Sequence, residues 1–246
     1  MTSSNMQSEA IILDRQKRLE KAMQEVGLEA LAVNPGPSLT YLTGLHFHLM
    51  ERPVIALFTP GDALKLVLGE LEMGKTDDLP YPVQVFPYRD NPETWQKAFE
   101  QAALAAEIDG RQVGVETTRL RVFELRFLET AAPHARFVSG ESCLAALRMC
   151  KDQNEIQAIR KAVEIAQQGL QATLPAIREG VTELELASEL TLQLLRAGSE
   201  PEMPFSPIVA SGPNSANPHS TPTGRTLAQG DLVILDWGAA YGGYIS

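Results

Sequence analysis

Residues 230–246 read GDLVILDWGAAYGGYIS. Gly230-Asp231 is a turn signal, and Leu232-Val233-Ile234-Leu235 is a short apolar run rich in β-formers, which predicts a buried strand. The run closes on a carboxylate, Asp236, followed at once by Trp237 and Gly238. Spacing alone leaves two readings of Asp236: a cap for a turn or helix start, or a metal ligand at a strand end. An ionised carboxylate beside an apolar strand is costly unless a cation or strong donors meet it. Gly242-Gly243 then turns the chain into a second short strand, Tyr244-Ile245-Ser246. Such a hairpin can bring a second carboxylate back beside the first, which a two-metal site needs. None lies between Asp236 and Ser246.

Moving back along the chain, Ser211-Gly212-Pro213-Asn214-Ser215-Ala216-Asn217-Pro218-His219 is dense in Gly, Pro, Asn and Ser. It reads as a loop, and loops on a rigid scaffold often carry function. On its own, a lone loop histidine such as His219 is ordinarily just solvated. Two helices precede the loop. The first opens at Asp152 with Glu155 three residues on. Its apolar positions Ile156, Ile159, Val163, Ala166, Leu170 and Leu174 predict a core-facing stripe. The second opens on a Thr182/Glu185 capping box, lines its buried side with Leu186, Leu190 and Leu194, and stops at Gly198.

The first 147 residues alternate strands with helices. Residues 9–26 predict an amphipathic helix ended by Gly27. Strands follow at 30–33, 54–59, 64–68, 83–88, 113–115 and 135–138, with helices at 92–107 and 120–130. Pro60-Gly61-Asp62 makes the second and third strands a hairpin. This order predicts an α/β layer on a mixed sheet with flanking helices. His46 and His48 sit two apart, which on a strand would place them on one face as metal donors; a partly exposed loop pair is the plainer reading. Cys143 and Cys150 read as free thiols and are too few for a structural zinc site.

Composition narrows the function class. A formal net charge of −10 argues against nucleic acid, whose phosphates need clustered Lys and Arg. No apolar run approaches the roughly 18 residues of a membrane span. The first ten residues, MTSSNMQSEA, lack the apolar segment of a signal peptide, so a cytoplasmic protein is expected. A 44% hydrophobic content over 246 residues supports one large or two modest cores.

The 230–246 stretch resembles the first metal-ligand motif of the prolidase, aminopeptidase P and methionine aminopeptidase family, the pita-bread metallopeptidases. In that family an Asp ends the first strand, and a second Asp follows Gly-Tyr-x-Ser on the returning one. Asp236 matches the first ligand, and the resemblance implies that the chain is cut off one residue before the second. Residues 151–156, 159–162 and 180–183 are similar to the opening of the same catalytic domain. The run ending Ala216-x-Pro218-His219 is similar to the segment whose histidine faces the substrate. Gly27-Leu28-Glu29-Ala30-Leu31 leading to Tyr41-Leu42-Thr43-Gly44 resembles the N-terminal domain of creatinases and prolidases.

The resemblance thus implies an α/β N-terminal domain over residues 1–147, then the first half of an α+β pita-bread catalytic domain over 148–246. It implies hydrolysis of the bond before a proline in second position, by water activated between two divalent ions of Mn, Co or Zn type. Asp236 would be one metal ligand. His219 would be the catalytic imidazole that hydrogen-bonds or protonates the developing tetrahedral species. With the remaining ligands outside these residues, the chain alone is expected to bind metal weakly and not to turn over. Family members are commonly dimers, so a homodimer is implied as well. Two alternatives share the fold: a creatinase-like amidinohydrolase working without metal, which Asp236 disfavours, and a non-catalytic binding module.

Overall fold

The computed structural model describes residues 3–246, with side-chain surroundings from residue 10 onward. The expectation of no signal peptide falls partly on residues 1–2, which lie outside the described residues. The chain divides into two compact units, Met1–Cys150 and Lys151–Ser246. No described helix is long and apolar enough to cross a membrane.

The first unit carries strands β1 (Ala30–Val33), β2 (Ile55–Phe58), β3 (Leu64–Gly69), β4 (Val83–Tyr88), β5 (Gln112–Val115) and β6 (Arg136–Ser139). They form one mixed sheet in the order β4-β3-β2-β1-β5-β6. β1 and β3 pair antiparallel with β2, which confirms the expected hairpin, while β1–β5, β5–β6 and β3–β4 are parallel. The central strands read as unbroken apolar runs because helices cover both faces. One face packs Leu31, Val33, Phe58, Leu66 and Leu68 against Leu19 and Met23 of α1 (Ser3–Glu25), Leu39 and Leu42 of α2 (Pro37–Thr43), and Leu144 of α5 (Glu141–Met149). The other packs Ala32, Ile55, Leu57 and Val113 against Phe99 of α3 (Trp95–Ala105) and Leu128 of α4 (Val122–Ala131).

Neither α2 nor α5 was expected from the sequence. At seven and nine residues they are too short to display a helical period. Tyr41-Leu42-Thr43 instead completes α2, which Gly44 closes in the left-handed conformation, its N–H donating to the Thr40 carbonyl. At the start of α4, Arg121 Nε donates to both oxygens of the fully buried Glu124, at 2.8 and 3.0 Å. The same guanidinium also donates to the Met50 carbonyl, so one arginine ties α4 to the loop before β2.

The second unit opens with α6 (Gln153–Thr173) and α7 (Glu183–Arg196), each closed at its N-terminus by the expected capping box. Leu186, Leu190 and Leu194 are fully buried, as their spacing predicts. The α6 stripe is a correction. Its buried positions include Ala162, Ile165, Ala166, Gly169 and Thr173, whereas Val163 and Leu174 are 39% and 43% exposed. Close approach is the reason. A Cβ built on Gly169 would lie 2.6 Å from Leu194 Cδ2 and 3.2 Å from its Cα, so the row of small residues admits α7 where the bulkier row cannot. Gly169→Val is therefore expected to destabilise this unit by about 1–3 kcal/mol through overpacking, read as a fall in the urea midpoint at unchanged slope.

β7 (Ile208–Ser211) pairs antiparallel with β8 (Val233–Asp236), matching Ile208 to Asp236 and Ser211 to Val233. Val233 and Leu235 pack with Leu186, Val209 and Leu227. Leu232 is 68% exposed. The predicted buried strand is thus only partly buried, because a two-stranded ladder is covered on one face. The hairpin of β9 (Ala240–Tyr241) and β10 (Tyr244–Ile245) forms where Gly242-Gly243 placed it. It is tied to α6 by the Tyr244 hydroxyl donating to Glu155 Oε1 at 3.0 Å, and Trp237 Nε1 donates to the Ala166 carbonyl at 3.0 Å.

Candidate active site

Asp236 ends β8 at the ladder rung shared with Ile208. Its side chain is exposed, and among the described residues nothing hydrogen-bonds to it. The desolvation argument for a cation partner therefore does not apply here: water solvates the carboxylate. What remains is a hard oxygen donor with both oxygens open. His219 lies beyond the 3-10 turn Gly212–Ala216, exposed, with its backbone N–H donating to Asn217 Oδ1 at 3.1 Å. The ladder rung next to the start of its loop, Ser211 with Val233, is at the opposite end from Asp236. Among the described residues no hydrogen bond or ion pair joins His219 to Asp236. Nor do any three His, Cys, Asp or Glu side chains gather there in a way that could hold a metal ion. Asp236 fits the part of a single ligand; the described residues do not by themselves fit a two-ion centre.

The other candidates resolve simply. His46 and His48 sit in an irregular exposed loop rather than on a strand, and Lys75 Nζ donates to the His46 carbonyl at 2.9 Å. Cys143 and Cys150 are both free thiols; burial pushes the Cys143 thiol up to about 11, which makes it unreactive.

The most heavily bonded side chain near these residues is one that sequence reasoning did not single out. Glu183, the first residue of α7, is fully buried. Its Oε1 accepts from Ser211 N–H at 2.7 Å, Ser211 Oγ at 2.8 Å and Asn214 Nδ2 at 3.1 Å. Its Oε2 accepts from Asn214 Nδ2 at 3.1 Å, Thr223 N–H at 3.0 Å and Thr223 Oγ1 at 2.6 Å. Burial alone would raise this carboxyl; the hydroxyl and backbone donors of Thr223 and Ser211 outweigh it and hold it at about 2, against an ordinary 4.5. Alongside, Arg225 grips Asp231 through two nitrogens at 2.7 and 3.1 Å and also donates to Ser211 Oγ at 2.6 Å. The sequence marks Glu183 only as the end of the 180–183 run and as an acidic residue in a helix's first turn, which ordinarily signals no more than a favourable dipole contact.

Known proteins provide the wider frame. Residues 15–150 match the family described as Creatinase/Prolidase N-terminal domain, and residues 157–246 match Metallopeptidase family M24. The Xaa-Pro dipeptidase of Lactobacillus delbrueckii subsp. lactis is 29% identical over 93% of this chain and 62% of its own length. That of Pyrococcus horikoshii is 28% identical over 96% of this chain and 63% of its own. The crystal structure of a recombinant prolidase from Thermococcus sibiricus superposes with a TM-score of 0.86 at 28% identity, over 94% of this chain and 62% of that one. The chain thus spans less than two thirds of the length of these relatives. Residues 157–246 are thus similar to the M24 metallopeptidases, and, matched over more than half of its residues, the chain belongs to the family with a creatinase/prolidase-type N-terminal domain.

Proposed function

We propose that this chain is part of an Xaa-Pro peptidase of prolidase or aminopeptidase P type, with Asp236 as a metal ligand and His219 as the imidazole facing the substrate. One observation carries the reading: proteins named Xaa-Pro dipeptidase align with 93–96% of the chain, through both domains. When bound, divalent ions would supply a water of lowered pKa and a polarised carbonyl. This chain's own share is narrower. Asp236 offers one oxygen ligand. His219 offers an imidazole that can donate to an oxyanion or a leaving amine. The homodimer implied by family resemblance is part of the proposal, and sedimentation velocity checks it.

Hydrolysis of an Xaa-Pro dipeptide with Mn²⁺, Co²⁺ or Zn²⁺, run beside creatine, tests the reading. The 246 residues alone are expected to show no turnover, since one carboxylate is too few donors for a two-ion site. A protein carrying the further ligands is expected to cleave the dipeptide and to lose activity on chelation. His219→Ala in that protein should lower kcat about 10²–10⁴-fold. Breakdown of creatine without metal, and no action on the dipeptide, would overturn the assignment.

A further inference from the structure

We infer that Glu183 is a positioning residue that sets the place of His219 through a relay of hydrogen bonds, and that it neither ligates metal nor moves a proton. Its role as a catalytic support rests on the reading above; the relay itself is a matter of geometry. A carboxylate has about four lone-pair directions. Glu183 meets five donor groups, the Ser211 N–H and hydroxyl, the Asn214 amide, and the Thr223 N–H and hydroxyl. It is full, and has no oxygen left for an ion or a substrate.

The donors lie on both ends of one loop. Ser211 is the last residue of β7, and Thr223 is where the chain returns to α7. The return is bound from the other side too: Leu184 N–H donates to the Thr223 carbonyl and Glu183 N–H to the Arg225 carbonyl. One buried side chain therefore closes the base of the loop that carries His219. From that base a chain of bonds runs outward. Asn214, held by Glu183, accepts at its carbonyl from Asn217 N–H at 3.1 Å. The Asn217 side chain then accepts the His219 N–H. A histidine exposed on a Gly/Pro-rich loop would ordinarily sample many positions. Here its backbone is three bonded steps from a fixed charge.

The relay is tested in the 246-residue chain by following the imidazole resonances of His219, with His46, His48 and His134 as internal controls. Glu183→Gln keeps the shape but presents an NH₂ to the donors of Thr223. Asn217→Ala cuts the last link at an exposed position and leaves the buried bonds intact. Both variants are expected to shift and broaden the His219 signals while the other three stay in place. In Glu183→Gln the exchange protection of the Ser211 and Thr223 amides should fall about tenfold or more. Should Glu183→Gln fail to fold, Asn217→Ala still decides. His219 signals unchanged in Asn217→Ala would overturn the relay, as would His219 moving only together with the three control histidines. Activity is a separate arm: if His219 shifts as expected but His219→Ala leaves dipeptide hydrolysis untouched in a turnover-competent protein, the positioning stands and the peptidase role of His219 falls.

Discussion

Glu183→Ala is expected to lower the stability of the second unit by on the order of 3 kcal/mol at neutral pH, with the loss concentrated in the 211–231 loop. The substitution strands the donors of Ser211, Asn214 and Thr223 in a buried site, each at a cost of about 1–3 kcal/mol where water cannot replace the carboxylate. It also removes a dependence on pH. The folded-state pKa of about 2 lies below the ordinary 4.5, so the unfolded chain takes the proton more readily. The stabilisation is complete above pH 4.5 and drains away as the pH falls toward 2. It amounts to about 3 kcal/mol. Denaturant titrations at a series of pH values should therefore show the parent protein losing stability between pH 5 and 2 more steeply than the variant. Equal slopes in that window would mean that the carboxyl is not ionised by the loop's donors.

The second large effect is expected in the other unit. Arg121→Ala leaves the Glu124 carboxylate fully buried without its bidentate partner, and detaches the Met50 carbonyl as well. Breaking a buried pair from one side costs about 3–5 kcal/mol, because the remaining charge is neither hydrated nor paired. Replacing both partners, as in Arg121→Leu with Glu124→Leu, should recover most of that loss. Thermal unfolding of the single and double variants measures the difference. A double variant as unstable as the single one would show that the arginine acts through the Met50 contact instead.

Much of this architecture could be read from the residues. The β2–β3 hairpin follows from Pro60-Gly61-Asp62, and both capping boxes from a Thr or Asp with Glu three residues on. These are signals of local chemistry, and local chemistry survives folding. The failures share a different cause. Which face of α6 is buried depends on how near α7 can come, and Gly169 decides that through a contact with Leu194 that no period displays. The burial of β8 depends on how many faces its sheet has covered. The role of Glu183, quoted only as the end of the 180–183 run, was not legible because its partners lie 28, 31 and 40 residues away and converge only in three dimensions. Asp236 and His219 could be singled out by resemblance, but their solvation is a property of the folded surface.

Those separations carry a consequence for the order of folding. α6 and α7 are neighbours along the chain and can pair early, since little loop entropy is lost in joining them. The six contacts to Glu183 must wait for β7 and for residues 223–227 to arrive. The His219 loop should then be the last part of its unit to lock and the first to open. Weakening it should speed unfolding and leave the folding rate nearly unchanged.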